Sequence, residues 1–447
     1  MRVPFAAAVL TAACAVSAAG SGPALFATHE AIPVRIAAPF TDLFGHKSID
    51  DDYAVTGVLT YTDAGREVAI HDIKISVRGH TSRREGECTF PKLKVDLSSD
   101  DALFGGLKSV KIGTHCGEST GNRLTERFGR LPNQQAPPRE AFVYRLLAVF
   151  DVPTLRARPA RIAYVDTDRG GSVVERNAML VESDGDAMRR LGGSRDIPPE
   201  EFTTARDMFS PEDTARLAFA QAMIGNFDWC LEFYQGDAYR CDQRRKLWNV
   251  AAIAVDHGAR PLIYDFDVSG MVAGGHRWFE DVYNEAFDDS WSHPALEALG
   301  QVQRTRSLFT RAVLDATRAH FAGRKSGAYA ALAAANVDAE GRATIREYLD
   351  SFFRAIESDD AFYRPVVTAS GVKPFTDANR SRAVCPGLGT IPVGTPISAP
   401  IDTQGDLIQV TLLDALWKWA PPAKCGEIHT SPVWIPANAV GREYPAR

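Results

Sequence analysis

The sequence lacks the patterns of several common enzyme and metal-site classes. It has no H-E-x-x-H motif, which makes a hydrolase a weaker interpretation, and no paired C-x-x-C motifs, which disfavours a structural zinc site. The net charge is −6, so the overall balance favours neither a nucleic-acid partner nor an acidic membrane surface. Beyond the N-terminus, no stretch is long and apolar enough to predict a membrane span.

The composition that is present is typical of a folded globular protein. The chain has 447 residues, which predicts two or three domains of about 100–200 residues each. Hydrophobic residues make up 45% of the chain and charged residues 24%, so the sequence can build a sizeable core.

The first 22 residues differ from the rest. Arg2 precedes a short apolar run at residues 5–16, and small residues follow at 17–22. This order is typical of a secretory signal peptide, so we expect export to the periplasm or the extracellular space. Cys14 leaves a lipid-anchored lipoprotein as a minor alternative.

Export favours disulfides among the cysteines that remain after Cys14 is removed. These six are Cys88, Cys116, Cys230, Cys241, Cys385 and Cys425. An even number in an oxidising compartment is typical of disulfides, and nearest-neighbour pairing predicts the bonds 88–116, 230–241 and 385–425. Other pairings, and buried free thiols, stay open as alternatives.

A β-rich part is predicted over residues 33–182. The predicted strands lie at 54–62, 68–77, 90–97, 107–113, 161–166 and 178–182, and one helix is predicted at 137–150. In the strand at 90–97, alternation places Lys92, Lys94 and Asp96 on one face. This face follows the arginine-rich loop RGHTSRR (78–84), so the two lysines are candidates to contact a triphosphate. A solvated sheet face is the alternative interpretation.

The sequence pattern of residues 183–365 predicts a mainly helical part of the chain. A capping signal at Ser210 begins a helix at 214–224, and helical spacing returns over 295–322, 326–335 and 340–357. A β-rich half followed by a helical half predicts an α+β fold with two lobes.

The last part, residues 372–443, is rich in proline, glycine and threonine. Short apolar strands are predicted at 393–397, 407–410 and 433–436, and a short helix at 412–417. The pattern resembles a bacterial SH3-like β-barrel, a module that commonly binds peptide or cell-wall material. A packing appendage is the alternative interpretation.

Three polar side chains, Asp228, Asn249 and Asp265, each adjoin an apolar run that can anchor them in a core. Phosphoryl transfer needs a carboxylate to orient a hydroxyl, together with a carboxylate and an amide that hold magnesium. We therefore expect these three side chains to meet in a cleft between the two lobes.

Five motifs occur in an order that matches a known family. They are RG..SR (78–83), FPKL (90–93), VKIGTHC (110–116), IGNFDW (224–229) and YDFDVSG (264–270). Together they resemble the exported bacterial relatives of the spore-coat protein H (CotH) family of atypical protein kinases. The resemblance spans roughly residues 54–357.

The resemblance implies a two-lobed kinase-like fold and Mg²⁺-dependent (or Mn²⁺-dependent) phosphoryl transfer from ATP to a protein or envelope acceptor. It implies that Asp228 is the catalytic aspartate and that Asp265 binds the metal, with Asn249 as a further ligand. Lys92 or Lys94 is implied to contact the nucleotide phosphates and Glu140 to pair with that lysine. Glu182 falls where a hinge would border the adenine. Asp267 lies two residues beyond Asp265, so in an extended backbone both side chains are expected to reach the cleft and share a second metal.

The sequence departs from the family at two places. Trp248-Asn249 stands where the relatives usually have His-Asn, and no G-x-G-x-x-G loop is present. These departures leave an alternative function open: a catalytically inactive, kinase-like envelope protein that binds a protein or cell-wall partner.

Overall fold

The computed structural model describes most of the chain. The described residues are 23–47, 52–97, 101–231, 246–274, 293–306, 308–381, 390–391, 393, 395, 397–412 and 432–442. The predicted signal peptide, Cys14, Cys241, Cys385 and Cys425 lie outside these residues, as does nearly all of the short helix predicted at 412–417.

The described residues form a mixed α/β architecture that begins with a closed barrel of seven strands. Neighbouring strands are antiparallel except β1 and β6, whose parallel pairing closes the barrel in the order β1-β2-β3-β4-β5-β7-β6. The strands are β1 (Ile32–Ala38), β2 (Ala54–Asp63), β3 (Arg66–Val77), β4 (Leu93–Asp96), β5 (Ser109–Gly113), β6 (Ala157–Asp166) and β7 (Ser172–Glu182).

Alternation of apolar and polar residues explains the barrel. Strand β1 alternates buried and more accessible residues along its whole length, so one face fills the interior and the other is turned outward. The hairpin between β2 and β3 turns through Ala64 and Gly65, whose φ angles of 46° and 80° suit the twist of the flanking strands. The interior is an apolar cluster that contains side chains from all seven strands.

Helix α2 (Ala136–Val149) joins the barrel to the helical part of the chain. It is buried along most of its length, and its core side chains belong to the same apolar cluster as the later helices. The buried Arg139 forms a two-pronged ion pair with Asp338, with distances of 2.9 Å and 2.7 Å. Because Asp338 also caps a helix by accepting from Gly341, this pair holds α2 firmly against the helical part.

The helical part includes two small sheets. Strands β8, β11 and β12 form one antiparallel sheet, and β9 and β10 pair beside it. The strands are β8 (Arg195–Ile197), β9 (Cys230–Leu231), β10 (Leu247–Trp248), β11 (Val250–Val255) and β12 (Gly258–Ile263). A short helix, α1 (Phe40–Gly45), precedes the second strand of the barrel. The helices of the helical part are α3 (Asp184–Arg190), α4 (Pro199–Ala205), α5 (Pro211–Met223), α6 (Gly270–Ala273), α7 (His293–Arg306), α8 (Arg311–Gly323), α9 (Lys325–Ala333), α10 (Ala339–Ile356) and α11 (Asp359–Phe362).

The C-terminal residues form a small β structure with an apolar core of its own. Strands β14 (Asp402–Gln404), β15 (Leu407–Val410) and β16 (Val433–Pro436) make an antiparallel sheet, and β13 (Val366–Val367) pairs with β17 (Val440–Gly441). The strands predicted at 407–410 and 433–436 are confirmed. In the range 393–397, residues 394 and 396 lie outside the described residues, and Ile397 forms an isolated bridge with Leu412.

Most predicted elements before residue 365 match the structure within a few residues. The helical run predicted at 295–322 is wrong in one respect, because the structure divides it into α7 and α8. A new helix begins after Thr310, whose side chain caps the N-terminus of α8 by accepting from the Val313 N–H. In the described part of the chain, no helix combines the length and apolar character that crossing a membrane requires.

Candidate functional site

Two adjoining cavities lie between the barrel and the helical part. The first, of about 460 Å³, has apolar walls that include Leu155, Val181, Ile197 and Val250, and we call it the apolar cavity. The second, of about 440 Å³, is lined by cationic side chains, and we call it the basic cavity. The residues common to both walls are Arg78, Gly79, His80, Trp248, Asn249 and Asp265.

Asp228 reaches the basic cavity from the loop that follows α5. Its backbone N–H donates to the Oδ1 of the buried Asn226 at 3.1 Å, and Asn226 donates in turn to Gln221 at 2.9 Å. Its carboxylate accepts from Trp248 Nε1 and from Asn249 Nδ2, each at 3.0 Å. The Asp228 carboxylate is therefore held in one orientation by two donors.

Asn249 sits between β10 and β11 with a left-handed backbone (φ 52°). Asparagine tolerates this conformation better than most residues, because its short amide can bond locally. The bend brings its Nδ2 within 2.7 Å of the Asp228 carbonyl oxygen as well as the carboxylate. Since the amide nitrogen is engaged, the amide oxygen is the group that remains to bind a ligand.

Asp265 follows β12, and its backbone is also left-handed, with φ 65°. The Asp265 N–H donates to the Tyr144 hydroxyl at 3.1 Å, and the next N–H, of Phe266, donates to Glu140 Oε1 at 3.2 Å. Helix α2 thus holds the turn at two consecutive peptide groups. Non-glycine residues with positive φ carry strain that the surroundings must maintain, and they concentrate at functional sites.

Lys92 lies at the inner end of the basic cavity and is almost fully buried. Its ammonium group forms ion pairs with Asp265 and, at 2.8 Å, with Asp267. Burial lowers the pKa of Lys92, while the Asp265 and Glu140 charges oppose that shift. Burial alone would raise the pKa of Asp265, but the positive charges of Lys92 and Arg130 outweigh it and hold this pKa well below its ordinary value.

Asp267 does not line the basic cavity. It pairs with Lys92 and Arg130 and lines a separate cavity of about 20 Å³. The left-handed turn at Asp265 interrupts the extended backbone that the sequence analysis assumed. For this reason Asp265 and Asp267 do not face the same cavity. One oxygen of Asp267, Oδ1, is buried without a hydrogen-bond partner in the described structure.

Glu140 is buried on α2 and lines the apolar cavity. Its pKa is raised by burial, with Lys92 opposing the shift. In the described part of the chain the ion pairs of Lys92 are with Asp265 and Asp267, so Glu140 acts on Lys92 at longer range. Its direct contact is the hydrogen bond from Phe266 N–H.

Lys94 and Glu182 lie outside the residues that line the two cavities. Lys94 pairs with Asp96 at 2.7 Å on a half-exposed face of the barrel. Glu182 is buried and accepts from Arg190 at 2.7 Å and 3.0 Å, as well as from the Arg156 N–H at 3.0 Å. The preceding residue, Val181, lines the apolar cavity.

Several residues of the site were not singled out by the sequence analysis. Tyr144 and Arg130 gave no signal, because one lies on a helix with an ordinary apolar pattern and the other in a polar loop. Trp248 was noted as a departure from the family, and the structure shows that its indole N–H donates to Asp228. The segment GESTG (117–121) matches the G-x-S-x-G pattern but lies in irregular turns, without the strand-to-helix elbow that a nucleophilic serine requires.

The disulfide Cys88–Cys116 confirms one of the predicted pairings. It joins the end of the loop that begins at Arg78 to the segment after β5, beside the small cavity of Asp267. Cys230 is disulfide-bonded as well, and its partner lies outside the described residues.

The donor chemistry of the basic cavity fits a hard divalent cation. Asp228, Asn249 and Asp265 line this cavity and supply two carboxylates and an amide, and oxygen ligands are those that magnesium prefers. The depressed pKa of Asp265 keeps its carboxylate ionised. A cluster of three or more His, Cys, Asp or Glu side chains suited to a metal is absent from the part of the chain that the structure describes.

Comparisons with known proteins find similarity among solved structures. No family model and no curated protein matches the chain. Among solved structures, the chain is similar to the proinflammatory kinase CtkA of Helicobacter pylori, with 9% sequence identity and a TM-score of 0.29. The similarity covers 63% of this chain and 94% of that one.

Proposed function

We propose that this protein is an exported, kinase-like phosphotransferase that transfers a phosphoryl group from ATP, with Mg²⁺, to a protein or envelope acceptor. The observation that carries the proposal is the convergence of Lys92, Asp228, Asn249 and Asp265 on one cavity. These residues are far apart in the sequence and come from different elements. We propose with it that residues 33–182 and 183–365 are the two lobes of a kinase-like fold, and that residues 372–443 are an SH3-like domain.

The basic cavity suits the phosphates of the nucleotide. Arg78 and Lys92 bring positive charge to its inner end, and the loop at 79–82 passes along its wall. Gly79 has φ 88°, and a side chain there would lie 2.6 Å from Ser82 Oγ, so the tight turn of this loop requires glycine. Phosphoryl transfer depends mainly on positioning and charge neutralisation, which fixed cations provide.

The apolar cavity suits the base and ribose. Leu155, Val181, Ile197 and Val250 supply apolar walls of the kind that small-molecule sites favour. The cavity meets the basic cavity along a shared wall, so a single ligand with an apolar end and an anionic end would extend through both.

Asp228 is proposed to orient the acceptor hydroxyl and receive its proton. The two N–H donors from Trp248 and Asn249 fix the carboxylate but leave it further lone pairs for a substrate hydroxyl. The Trp248 indole thereby takes a positioning role at the place where relatives usually have histidine. A magnesium ion held by Asp265 and Asn249 would neutralise charge on the phosphates.

The test combines nucleotide binding with transfer. We expect Mg-ATP to raise the melting temperature of the parent protein, since a ligand at a hundred times its Kd stabilises by about 2.7 kcal/mol. Asp265→Ala should abolish the Mg²⁺-dependent shift. Asp228→Asn should keep the shift and lower transfer by about 10²–10⁴-fold, the usual contribution of a positioned acid–base group.

The matched control is Asp256→Ala, which removes an exposed carboxylate from the turn between β11 and β12. This variant should bind and transfer like the parent. If Asp228→Asn and Asp265→Ala also transfer phosphate as well as the parent, the assignment of the site is wrong.

One observation favours the alternative of a catalytically inactive binding protein. Lys92 and Arg130 pair with Asp265 and Asp267, the carboxylates that the sequence analysis assigned to metal binding. In that case millimolar Mg-ATP should produce no thermal shift in the parent, or a shift with no transfer to any acceptor.

A further inference from the structure

We propose that the outer part of the basic cavity, formed by Arg84, Arg127 and Phe128 and called here the rim, binds an acidic acceptor peptide. The inference rests on the proposed function and adds the chemical class of the acceptor. It follows from the position, the charge and the rigidity of the rim.

The rim lies on the acceptor side of the cleft. Arg84, Arg127 and Phe128 line the basic cavity but not the apolar cavity, and the same is true of Asp228. A nucleotide whose base fills the apolar cavity would enter the basic cavity through the shared wall. The rim and the proposed hydroxyl-orienting carboxylate therefore lie on the side that the nucleotide leaves open.

The charges of the rim are not neutralised by carboxylates. Deeper in the cleft, Lys92 and Arg130 already pair with Asp265 and Asp267. Across the described ranges, neither Arg84 nor Arg127 forms an ion pair with an acidic side chain, and the neighbour of Arg84 Nη2 is His80 Nε2 at 3.2 Å. The rim is thus locally cationic on a chain whose net charge is −6, and such a patch attracts an anionic partner.

The side chains of the rim are also held in place before a peptide binds. The Arg84 and Arg127 guanidinium carbons lie 5.6 Å and 5.2 Å from the centroid of the Phe128 ring, within cation–π range. The segment that carries Arg127 and Phe128 is closed at its base by two hydrogen bonds: the Thr125 N–H donates to the Arg130 carbonyl oxygen, and the Arg130 N–H donates to the Thr125 hydroxyl. Stacking on the ring restrains the guanidinium planes and leaves their N–H groups available to carboxylates.

The experiment compares two synthetic peptides of equal length in which one serine is flanked by glutamates or by lysines. Fluorescence anisotropy measures the binding of each labelled peptide, and steady-state kinetics with Mg-ATP measures transfer. The test variant is Arg84→Glu with Arg127→Glu. The matched control is Arg123→Glu, an exposed arginine of the same loop that lines neither cavity.

We expect the parent to bind the acidic peptide more tightly than the basic one. Because each exposed charge pair contributes modestly and two charges are reversed, the double variant should raise Kd and KM for the acidic peptide about tenfold and change KM for Mg-ATP less than about twofold. The Arg123→Glu control should behave like the parent with both peptides. The affinity of the parent should fall as salt is added.

Three results would overturn the inference. In the first, the parent would bind the lysine-flanked peptide as tightly as the acidic one. In the second, the double variant would raise KM for Mg-ATP as much as KM for the peptide, which would assign the rim to the nucleotide. In the third, soluble polyphosphate would bind the parent more tightly than a peptide of equal charge. Failure of the proposed function is distinguished by the thermal-shift test, in which the parent itself does not respond to Mg-ATP.

Discussion

The apolar cavity and the basic cavity meet at a common wall, and the carboxylates beside them are held in opposite ways. Glu140, which faces the apolar cavity, has its pKa raised because burial is the dominant effect. Asp265 faces both cavities, and its pKa is lowered because the Lys92 and Arg130 charges outweigh burial. Two carboxylates on one wall of a cleft can therefore have opposite protonation preferences, according to the cations within reach.

The comparison also separates structural from chemical roles. The apolar side chains that line the apolar cavity, among them Leu155, Val181 and Val250, belong to the main core. The walls of the basic cavity come largely from loops, which are fixed by hydrogen bonds, ion pairs and the Cys88–Cys116 disulfide. Substitutions in the apolar cavity should therefore affect which ligand shapes fit, and substitutions in the basic cavity should affect the binding of charged groups.

Lys92→Met gives the largest expected effect, because it removes charge from the basic cavity while it keeps the volume of the side chain. The partly exposed Asp265 and Asp267 would then lose the buried cation that they share, so we expect a cost below the ~3–5 kcal/mol of breaking a fully buried ion pair. Urea unfolding measures the loss in free energy of unfolding. Lys94→Met is the matched control, and its half-exposed pair with Asp96 should contribute less than about 1 kcal/mol. Equal losses of stability in the two variants would contradict the conclusion that the Lys92 charge stabilises the Asp265 and Asp267 carboxylates.

Ala251→Phe tests the apolar cavity. Ala251 is a half-buried residue of β11 that lines this cavity, so a phenyl group would occupy the space proposed for the base. A bound base would clash with this ring, so ATP affinity should fall about tenfold or more, while inorganic tripolyphosphate should bind as before. Isothermal titration measures both. Ala254→Phe on the same strand, outside the cavity lining, is the control, and loss of tripolyphosphate binding in Ala251→Phe would show that the two cavities are not independent.

Glu140→Gln gives the smallest expected effect and concerns pH. A folded-state pKa above the ordinary value of 4.5 means that the parent loses stability as pH rises from about 4.5 through the folded-state pKa. Glutamine keeps an acceptor for the Phe266 N–H but does not titrate. The variant should therefore become more stable relative to the parent as pH rises. Urea unfolding at pH 4 and pH 7 measures the difference, and a difference that stays constant or changes in the opposite sense would contradict the raised pKa.

Several features of the site could be predicted from the sequence because they are local. Alternation predicts a strand at 90–97 that carries Lys92, and in the structure β4 begins at the next residue, Leu93. The capping signal at Ser210 predicts α5, whose end positions Asp228. The partners of these residues could not be predicted in the same way. The Trp248–Asp228 hydrogen bond, the Arg130–Asp267 ion pair and the Tyr144–Asp265 hydrogen bond each join segments that are not adjacent in the chain.

The amino-acid sequence by itself determined the periodicity of the strands and helices and the apolar runs that anchor the polar motifs. These follow from local preferences and from the tendency of apolar faces to be buried. Only the tertiary structure decided which cations reach which carboxylates, and that Asp267 does not line the basic cavity that Asp265 lines. The reason is physical: an ion pair depends on distances of a few ångströms between side chains, and the left-handed turn at Asp265 and the path of the loop that carries Arg130 set those distances.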